Sequence, residues 1–255
     1  MTFRRYVALG DSTTEGLEDP YEDGSGYRGW ADRLAAVLAA ESPGLAYANL
    51  AIRGRKLPQI RAEQLEPALA LEPDLASVLG GLNDILRRNV DVDAIAEDMD
   101  AIVGALRGRG ATVLMVTYPD PTVTISVAAG RIWARVDAFN EQLRAIAARN
   151  GAVLVDLDRD GTGHPSLWCD DRLHANAMGH QRIAVSAAVA LGLDHPEAAS
   201  WTPAEVPARP MAARLADDAV WLGRHLAPWV VRRLRGRSSG DGREPKRPLL
   251  TPYEP

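Results

Sequence analysis

The sequence has little of what several classes of protein depend on. It contains a single cysteine, Cys169, so it can form neither an internal disulfide nor a cluster of thiolate metal ligands. No apolar run approaches the roughly 20 residues of a membrane-spanning helix. The apolar run that ends at Leu9 is too short for the hydrophobic region of a signal peptide. We therefore expect a soluble, cytoplasmic protein.

A strong charge of one sign is also absent. The formal net charge is −5 over 255 residues, which gives the molecule as a whole no electrostatic reason to bind nucleic acid. No group of His, Asp and Glu side chains has the spacing of metal ligands, so neither a metal ion nor another cofactor is expected. The length and the 46% hydrophobic content suit one sizeable α/β domain.

Short apolar runs alternate along the chain with longer segments of helical period, which is the pattern of a parallel sheet covered by helices. The predicted strands lie at about 5–9, 45–50, 74–79, 111–117 and 152–156. The predicted helices lie at about 29–41, 58–70, 92–108, 132–149 and 175–191. Five strands with these crossovers predict a flavodoxin-like three-layer α/β/α sandwich, in which ligands bind outside the carboxyl ends of the strands.

The character of the sequence changes near residue 195. Residues 1–195 form the predicted α/β domain. Prolines then interrupt the pattern, and an amphipathic stretch over 211–231 leads us to interpret 196–235 as a helical extension. Its basic end suits either packing on the main domain or a weak contact with an anionic membrane surface or a partner. Residues 236–255 are rich in Gly, Pro, Ser and charge, which is typical of a disordered tail.

The most informative feature is a serine directly after the first predicted strand. That strand leads into Gly10-Asp11-Ser12, which places Ser12 at the edge of the sheet where ligands bind. A serine hydroxyl is a poor nucleophile at neutral pH and needs a base within hydrogen-bond reach. Taken alone, a serine at such a position more often caps a turn or a helix. Ser12 is therefore a candidate nucleophile that needs further support.

Asp171 and His174 can supply that support. His174 can accept the proton of Ser12, and a carboxylate on its other ring nitrogen would hold the imidazole in the correct tautomer. Asp171 lies three residues before His174, so its carboxylate can fold back onto the ring. Asp170, four residues before His174, is an alternative partner that the spacing leaves open. Asp171 could equally be a helix cap and His174 a surface residue.

Acyl transfer also requires hydrogen-bond donors for the oxyanion that develops during the reaction. Gly54 follows the second strand, and its N–H can come close to a ligand because glycine has no side chain. Asn83 follows the paired glycines that end the third strand and offers a side-chain amide. Each of these segments, taken alone, is more often an ordinary loop. All of these residues nevertheless follow predicted strands.

Four segments closely resemble, in order, the four blocks of the SGNH, or GDSL, hydrolases. They are Gly10-Asp11-Ser12, the Gly54 loop, Gly81-Leu82-Asn83-Asp84 and Asp171-Arg172-Leu173-His174. The resemblance spans about residues 5–190 and makes 1–195 the hydrolase domain. It implies a serine hydrolase that needs no metal, with Ser12 as nucleophile, His174 as base and Asp171 as the group that orients it. It also implies an oxyanion hole formed by the N–H groups of Ser12 and Gly54 and the amide of Asn83.

Two further features of the sequence concern the pocket beside Gly54 and a second candidate serine. Arg53 stands beside Gly54, where many members of the family carry a small residue, and this leaves the shape and charge of the near pocket open. Residues 236–240 match the G-x-S-x-G nucleophile elbow, which requires a strand before the serine and a helix after it. Neither element is predicted there, so Ser238 is not expected to be the nucleophile.

The leading hypothesis is therefore a serine esterase that forms a covalent acyl-enzyme on a small-molecule ester. Segments 17–28 and 119–131 could form the walls of an apolar acyl pocket, which would suit short acyl or acetyl esters, or they could simply be packed structure. One alternative is a lipase, lysophospholipase or thioesterase that uses the basic C-terminal helix at a membrane. Another is a non-catalytic binding protein on the same fold.

Overall fold

A six-stranded, mostly parallel sheet forms the centre of the molecule, which a computed structural model describes over residues 2–120, 129–159, 162–198 and 211–254. The strands are β1 (Arg5–Gly10), β2 (Ala46–Asn49), β3 (Leu75–Leu79), β4 (Thr112–Val116), β5 (Val153–Val155) and β6 (Arg247–Pro252). Their order across the sheet is β5-β4-β3-β1-β2-β6. Strands β1 to β5 pair in parallel, so their carboxyl ends meet at one edge.

Helices cover this sheet in two groups. The longer ones are α2 (Gly29–Glu41), α3 (Leu57–Ala70), α5 (Val92–Gly108), α6 (Ala129–Asn150) and α7 (Ala177–Ala190), and the short ones are α1 (Ser12–Glu15) and α4 (Leu82–Ile85). Helix α2 packs on α7, while α5 packs on both α3 and α6. A 3₁₀ turn occupies Pro165–Leu167. The predicted three-layer α/β/α fold is thereby confirmed.

The apolar runs of the sequence form the buried strands, as parallel strands covered on both faces require. Every residue of β3 is buried, and so is β1 after its first residue. The apolar faces of α2, α5 and α6 pack against these strands and complete one continuous core. Since the core fixes β1 at the centre of the sheet, the segment that follows Gly10 lies at the middle of the ligand-binding edge.

The predicted helical extension is helical where the structure describes it. Helix α8 (Met211–Trp221), a π-helical turn (Leu222–Leu226) and α9 (Ala227–Leu234) follow one another without a break. Within the described ranges, no helix combines the length and the apolar character needed to cross a membrane. Residues 199–210 lie outside the described ranges, and the domain boundary near residue 195 stays a prediction.

The prediction of a disordered tail over 236–255 is wrong for its second half. Residues 247–252 form β6, which pairs antiparallel with β2 and makes the sheet six-stranded rather than five-stranded. The guanidinium of Arg247 also donates to the carbonyl oxygen of Tyr47 over 3.0 Å. A polar, proline-rich segment cannot build a core of its own, but an edge strand needs only backbone partners and tolerates proline. The exposed edge of β2 supplies those partners.

Candidate active site

Ser12 lies where β1 ends, at the centre of the sheet edge. Gly10 closes the strand so tightly that a Cβ there would overlap the carbonyl oxygen of Leu79, which explains a glycine at this position. Asp11 then caps α1, with its side chain accepting the N–H of Thr13 at 3.3 Å. Ser12 therefore begins α1 directly after the strand, and its side chain faces the other loops at this edge.

His174 connects Ser12 to Asp171. Its Nε2 lies 2.8 Å from the Oγ of Ser12, and its Nδ1 lies 2.5 Å from Oδ2 of Asp171. The other oxygen of Asp171 accepts the backbone N–H groups of Leu173 and His174, both at 3.0 Å. The carboxylate thus folds back onto the ring as the spacing predicts, and Asp171 rather than Asp170 is the partner of the imidazole.

The electrostatics of the Asp171–His174 pair favour a charged imidazolium beside a charged carboxylate. Burial alone would lower the pKa of His174, but the hydrogen bond and charge of Asp171, together with the charges of Asp11 and Glu18, outweigh it and raise that pKa above its usual value. Burial likewise would raise the pKa of Asp171, but its bonds to His174 hold it below the usual value. The site can therefore stabilise a proton on His174.

Asn83 lies opposite Ser12, with both hydrogens of its amide engaged. One is donated to Oδ2 of Asp11 over 2.9 Å and the other to the carbonyl oxygen of Arg55 over 3.2 Å. Asp11 is fully buried, and burial raises its pKa to about 6. The bond to Arg55 brings the Gly54 loop next to Asn83. Asp11 is a residue of this site to which the sequence analysis assigned no role, although it stands inside the first motif.

Gly54 occupies a left-handed backbone conformation, with φ of 76°, which glycine adopts without strain. Its loop is fixed on one side by Arg53, whose backbone N–H and guanidinium both bind Glu15. On the other side, the hydroxyl of Ser238 lies 3.5 Å from the Gly54 carbonyl oxygen. Arg53 therefore carries a paired charge, and Ser238 supports the glycine loop instead of following a strand.

A shallow depression at the sheet edge contains most of these groups. It is lined by Asp11, Ser12, Thr13, Leu82, Asn83, Leu86, Leu173 and His174. An apolar cavity of about 30 Å³ adjoins it and shares three of its leucines. The cavity is lined by Leu82, Leu86, Tyr118, Pro119, Asp120, Ile132, Val136, Trp168, Arg172 and Leu173. An apolar group attached to a carbon beside Ser12 could enter this cavity.

The two segments predicted as pocket walls have different outcomes. Pro119 and Asp120 line the apolar cavity, but Thr122, Val123, Ile125 and Val127 lie outside the described residues. Segment 17–28 is fastened to α2, because Asp19 pairs with Arg33 and the hydroxyl of Tyr21 donates to Asp32 over 2.6 Å. These contacts favour the interpretation of 17–28 as packed structure.

Comparison with known proteins gives a family and a fold. A model of the GDSL-like lipase/acylhydrolase family matches residues 8–182. No curated protein sequence matches the chain significantly. LAE5, an alpha/beta hydrolase enzyme from the metagenome of Lake Arreo in Spain, is 24% identical with a TM-score of 0.62, over 74% of this chain and 95% of that one. A variant of Axe2, an acetyl xylan esterase from Geobacillus stearothermophilus, is 18% identical with a TM-score of 0.62, over 76% and 97%.

Proposed function

The chain belongs to the GDSL-like lipase/acylhydrolase family and is a carboxylic ester hydrolase, and on this premise we propose that it works through a covalent acyl-enzyme on Ser12. The observation that carries the proposal is the continuous chain of short hydrogen bonds from Asp171 through His174 to Ser12. A base within this distance of a serine hydroxyl is the arrangement that activates it as a nucleophile. The non-catalytic alternative has no support in a family of hydrolases.

In the proposed reaction, the Oγ of Ser12 attacks the ester carbonyl carbon while Nε2 of His174 takes the hydroxyl proton. Asp171 stabilises the imidazolium as it forms. The tetrahedral intermediate then collapses, the bond to the alcohol oxygen breaks, and His174 gives its proton to the departing alcohol. Water repeats the sequence on the acyl-enzyme, releases the carboxylic acid and restores the Ser12 hydroxyl.

The proposed oxyanion site consists of the backbone N–H groups of Ser12 and Gly54 and the amide of Asn83. In the described part of the chain neither N–H donates to another group, so both are available to a developing negative charge. The amide of Asn83 would exchange its longer bond, the one to Arg55, for the oxyanion. Its bond to Asp11 would remain and keep the amide oriented.

The proposed substrates are short acyl or acetyl esters. A mostly apolar cavity of about 30 Å³ adjoins the depression that contains Ser12, and this volume holds only a few heavy atoms. The structural neighbour Axe2 is an acetyl xylan esterase, which also favours acetyl esters. A lipase, lysophospholipase or thioesterase would need room for a longer chain, and it remains the alternative for the substrate.

Replacing the proposed nucleophile tests the mechanism. Ser12→Ala should lower kcat/KM for p-nitrophenyl acetate by at least about 10³-fold, because the remaining donors cannot replace the attacking oxygen. Fluorophosphonate labelling should be lost in the same variant. Ser238→Ala removes the rival serine and should keep the labelling; because its hydroxyl supports the Gly54 loop, it should lower kcat/KM far less than Ser12→Ala does. Wild-type hydrolysis by Ser12→Ala, or loss of labelling only in Ser238→Ala, would show that the nucleophile is misassigned.

A series of p-nitrophenyl esters from acetate to palmitate tests the substrate class. Turnover should be highest for acetate to butyrate and should fall for longer chains, because the cavity cannot hold them. Leu86→Ala enlarges the cavity at the point where it meets the depression, so it should move the optimum towards longer acyl chains. If the wild-type enzyme turned over long chains much faster than acetate or butyrate, the short-acyl proposal would be abandoned in favour of a lipase or thioesterase.

A further inference from the structure

Helix α8 reaches the loop that carries Asp171 and His174. Trp221, the last residue of α8, is only 9% exposed, and its indole N–H donates to the backbone carbonyl oxygen of Asp171 over 2.8 Å. One turn earlier on the same helix, Asp218 pairs with the guanidinium of Arg172 at 2.5 Å. That guanidinium also stacks over the Trp221 ring, 5.3 Å from its centroid. One helix thus holds two successive residues of the loop.

The loop needs such support because of the backbone at Arg172. This residue adopts a left-handed conformation, with φ of 61°, which is unfavourable for residues other than glycine and persists only where surrounding contacts impose it. The same turn lets Asp171 fold back, so that one of its oxygens accepts two loop N–H groups while the other reaches His174. The hydrogen bond between Asp171 and His174 therefore depends on the strained backbone conformation at Arg172.

We propose that Trp221 is a positioning residue for the Asp171–His174 pair, acting together with the ion pair between Asp218 and Arg172. The inference rests on the proposed function, since it assigns Trp221 a role in the reaction of Ser12. Residue 221 lies beyond residues 8–182, to which the family model applies. The extension therefore adds a support for the orientation of Asp171 and His174 from outside the part of the chain that the family model matches.

Loosening the turn would change the properties of His174 in a defined direction. The ionisable groups that act on the imidazole are Asp171, Asp11, Glu18 and His180, and the pKa of Asp11 is itself raised to about 6. If the turn relaxes, the contribution of Asp171 weakens, while burial and the positions of the other three groups stay the same in the wild type and the variants. The pKa of His174 in the free enzyme should then fall, and the proton affinity that drives attack by Ser12 should fall with it. Both kcat and the pH dependence of kcat/KM would therefore change.

Three variants of α8 test this role with p-nitrophenyl acetate as substrate. Trp221→Ala should lower kcat by ~10–100-fold because the base is misplaced, while KM should stay within about two-fold of the wild-type value. The acid limb of the pH profile of kcat/KM should move to lower pH. Trp221→Phe keeps the ring under Arg172 but lacks the N–H, so it should show a smaller change in the same direction. Val220→Ala, at a 65% exposed position on the same helix, should match the wild type.

A purely structural role for Trp221 would give different results. Thermal unfolding is measured for each variant, and if Trp221→Ala does not fold, Trp221→Phe, which keeps an aromatic ring at this position, decides the question. Proton NMR of the Nδ1–H of His174 gives a readout without catalysis, for which Asp171→Asn is the reference; this resonance should shift in both Trp221 variants. The positioning role would be overturned if the Trp221 variants kept the wild-type kcat and acid limb. It would also be overturned if they lost rate while the acid limb and the Nδ1–H resonance of His174 stayed unchanged.

The two proposals fail in distinguishable ways. If Ser12→Ala is inactive while the Trp221 variants match the wild type, only the positioning role is wrong. If Ser12→Ala retains full activity, the proposed nucleophile is wrong, and the role of Trp221 in its reaction is rejected with it.

Discussion

At the scale of single residues, two histidines show how the partner of a ring decides its chemistry. Nδ1 of His174 faces a carboxylate, which raises its pKa and makes it suitable as a base. His180 is buried on α7; its Nδ1 accepts the backbone N–H of Trp30 at 3.1 Å and its Nε2 donates to the carbonyl oxygen of Leu17 over 2.9 Å. Burial lowers the pKa of His180 to about 4, so this ring stays neutral and links the backbone of Trp30 to that of Leu17.

His180 should make the free energy of unfolding depend on pH. Its folded pKa lies below its unfolded value of about 6.5, so the unfolded chain binds the proton more tightly, and stability falls as the pH falls below about 6.5. The loss from this group should be about 2 kcal/mol between pH 7 and pH 5. In His180→Asn, urea unfolding at the two pH values should show a correspondingly smaller difference.

Other groups also contribute to the pH dependence, so the comparison between the two proteins matters. Asp11, whose pKa burial raises to about 6, increases the stability of the protein as the pH falls, and it does so in both proteins. Asp19, Arg33 and His174 interact electrostatically with His180, so the difference between the two pH dependences reports the proton of His180 together with its coupling to these neighbours. Equal pH dependence in wild type and variant would mean that the ring is not held neutral.

At the scale of elements, the strands and longer helices follow from local patterns. A continuous apolar run predicts a buried parallel strand, and spacings of three and four predict a helix. The predicted bounds therefore agree with β1 to β5 and with the long helices within a few residues. Helices α1 and α4 were not predicted, since four residues are too few to show a helical period.

The C-terminal helix shows the limit of such patterns. Its period predicted an amphipathic helix over 211–231, and the structure describes helix over 211–234. The period does not say what the apolar face contacts. In the structure Trp221 packs against the loop of Asp171, which favours packing on the main domain. A contact of the basic end with a membrane surface or a partner stays a prediction.

At the scale of the whole molecule, the chain after α9 returns to the sheet and to the Gly54 loop. Lys246 is the residue that joins this segment to the interior. Its side chain is 21% exposed, and its Nζ lies 2.9 Å from the buried carboxylate of Asp32. It also donates to the carbonyl oxygens of Tyr27 and Arg28, both at 2.8 Å. The last segment therefore supplies the cation for a carboxylate near the start of the chain.

Lys246→Met should lower the free energy of unfolding by about 1–3 kcal/mol, because it leaves Asp32 without its cation and two carbonyl groups without their donor. Urea unfolding at pH 7 measures the change. Arg237→Met is the matched control: it removes a cation from an exposed position of the same segment and should change stability by less than about 0.5 kcal/mol. Equal effects of the two substitutions would show that Lys246 is only a surface charge.

The sequence alone determined the α/β sandwich and the residues that meet at its edge. Both depend on local periodicity and on a rule of topology, namely that parallel strands bring their carboxyl ends together. Ser12, Asn83 and His174 follow three such strands and line one depression.

Only the tertiary structure decided that Asp171 rather than Asp170 binds the imidazole, that Asn83 binds Asp11, and that the tail forms β6. It also decided that Trp221 holds the Asp171 loop. The contacts of Asn83 and Trp221 join residues far apart in the chain, and β6 uses backbone atoms of an edge strand. The choice of Asp171 over Asp170 depends on the left-handed turn at Arg172. None of these leaves a periodic pattern in the side chains.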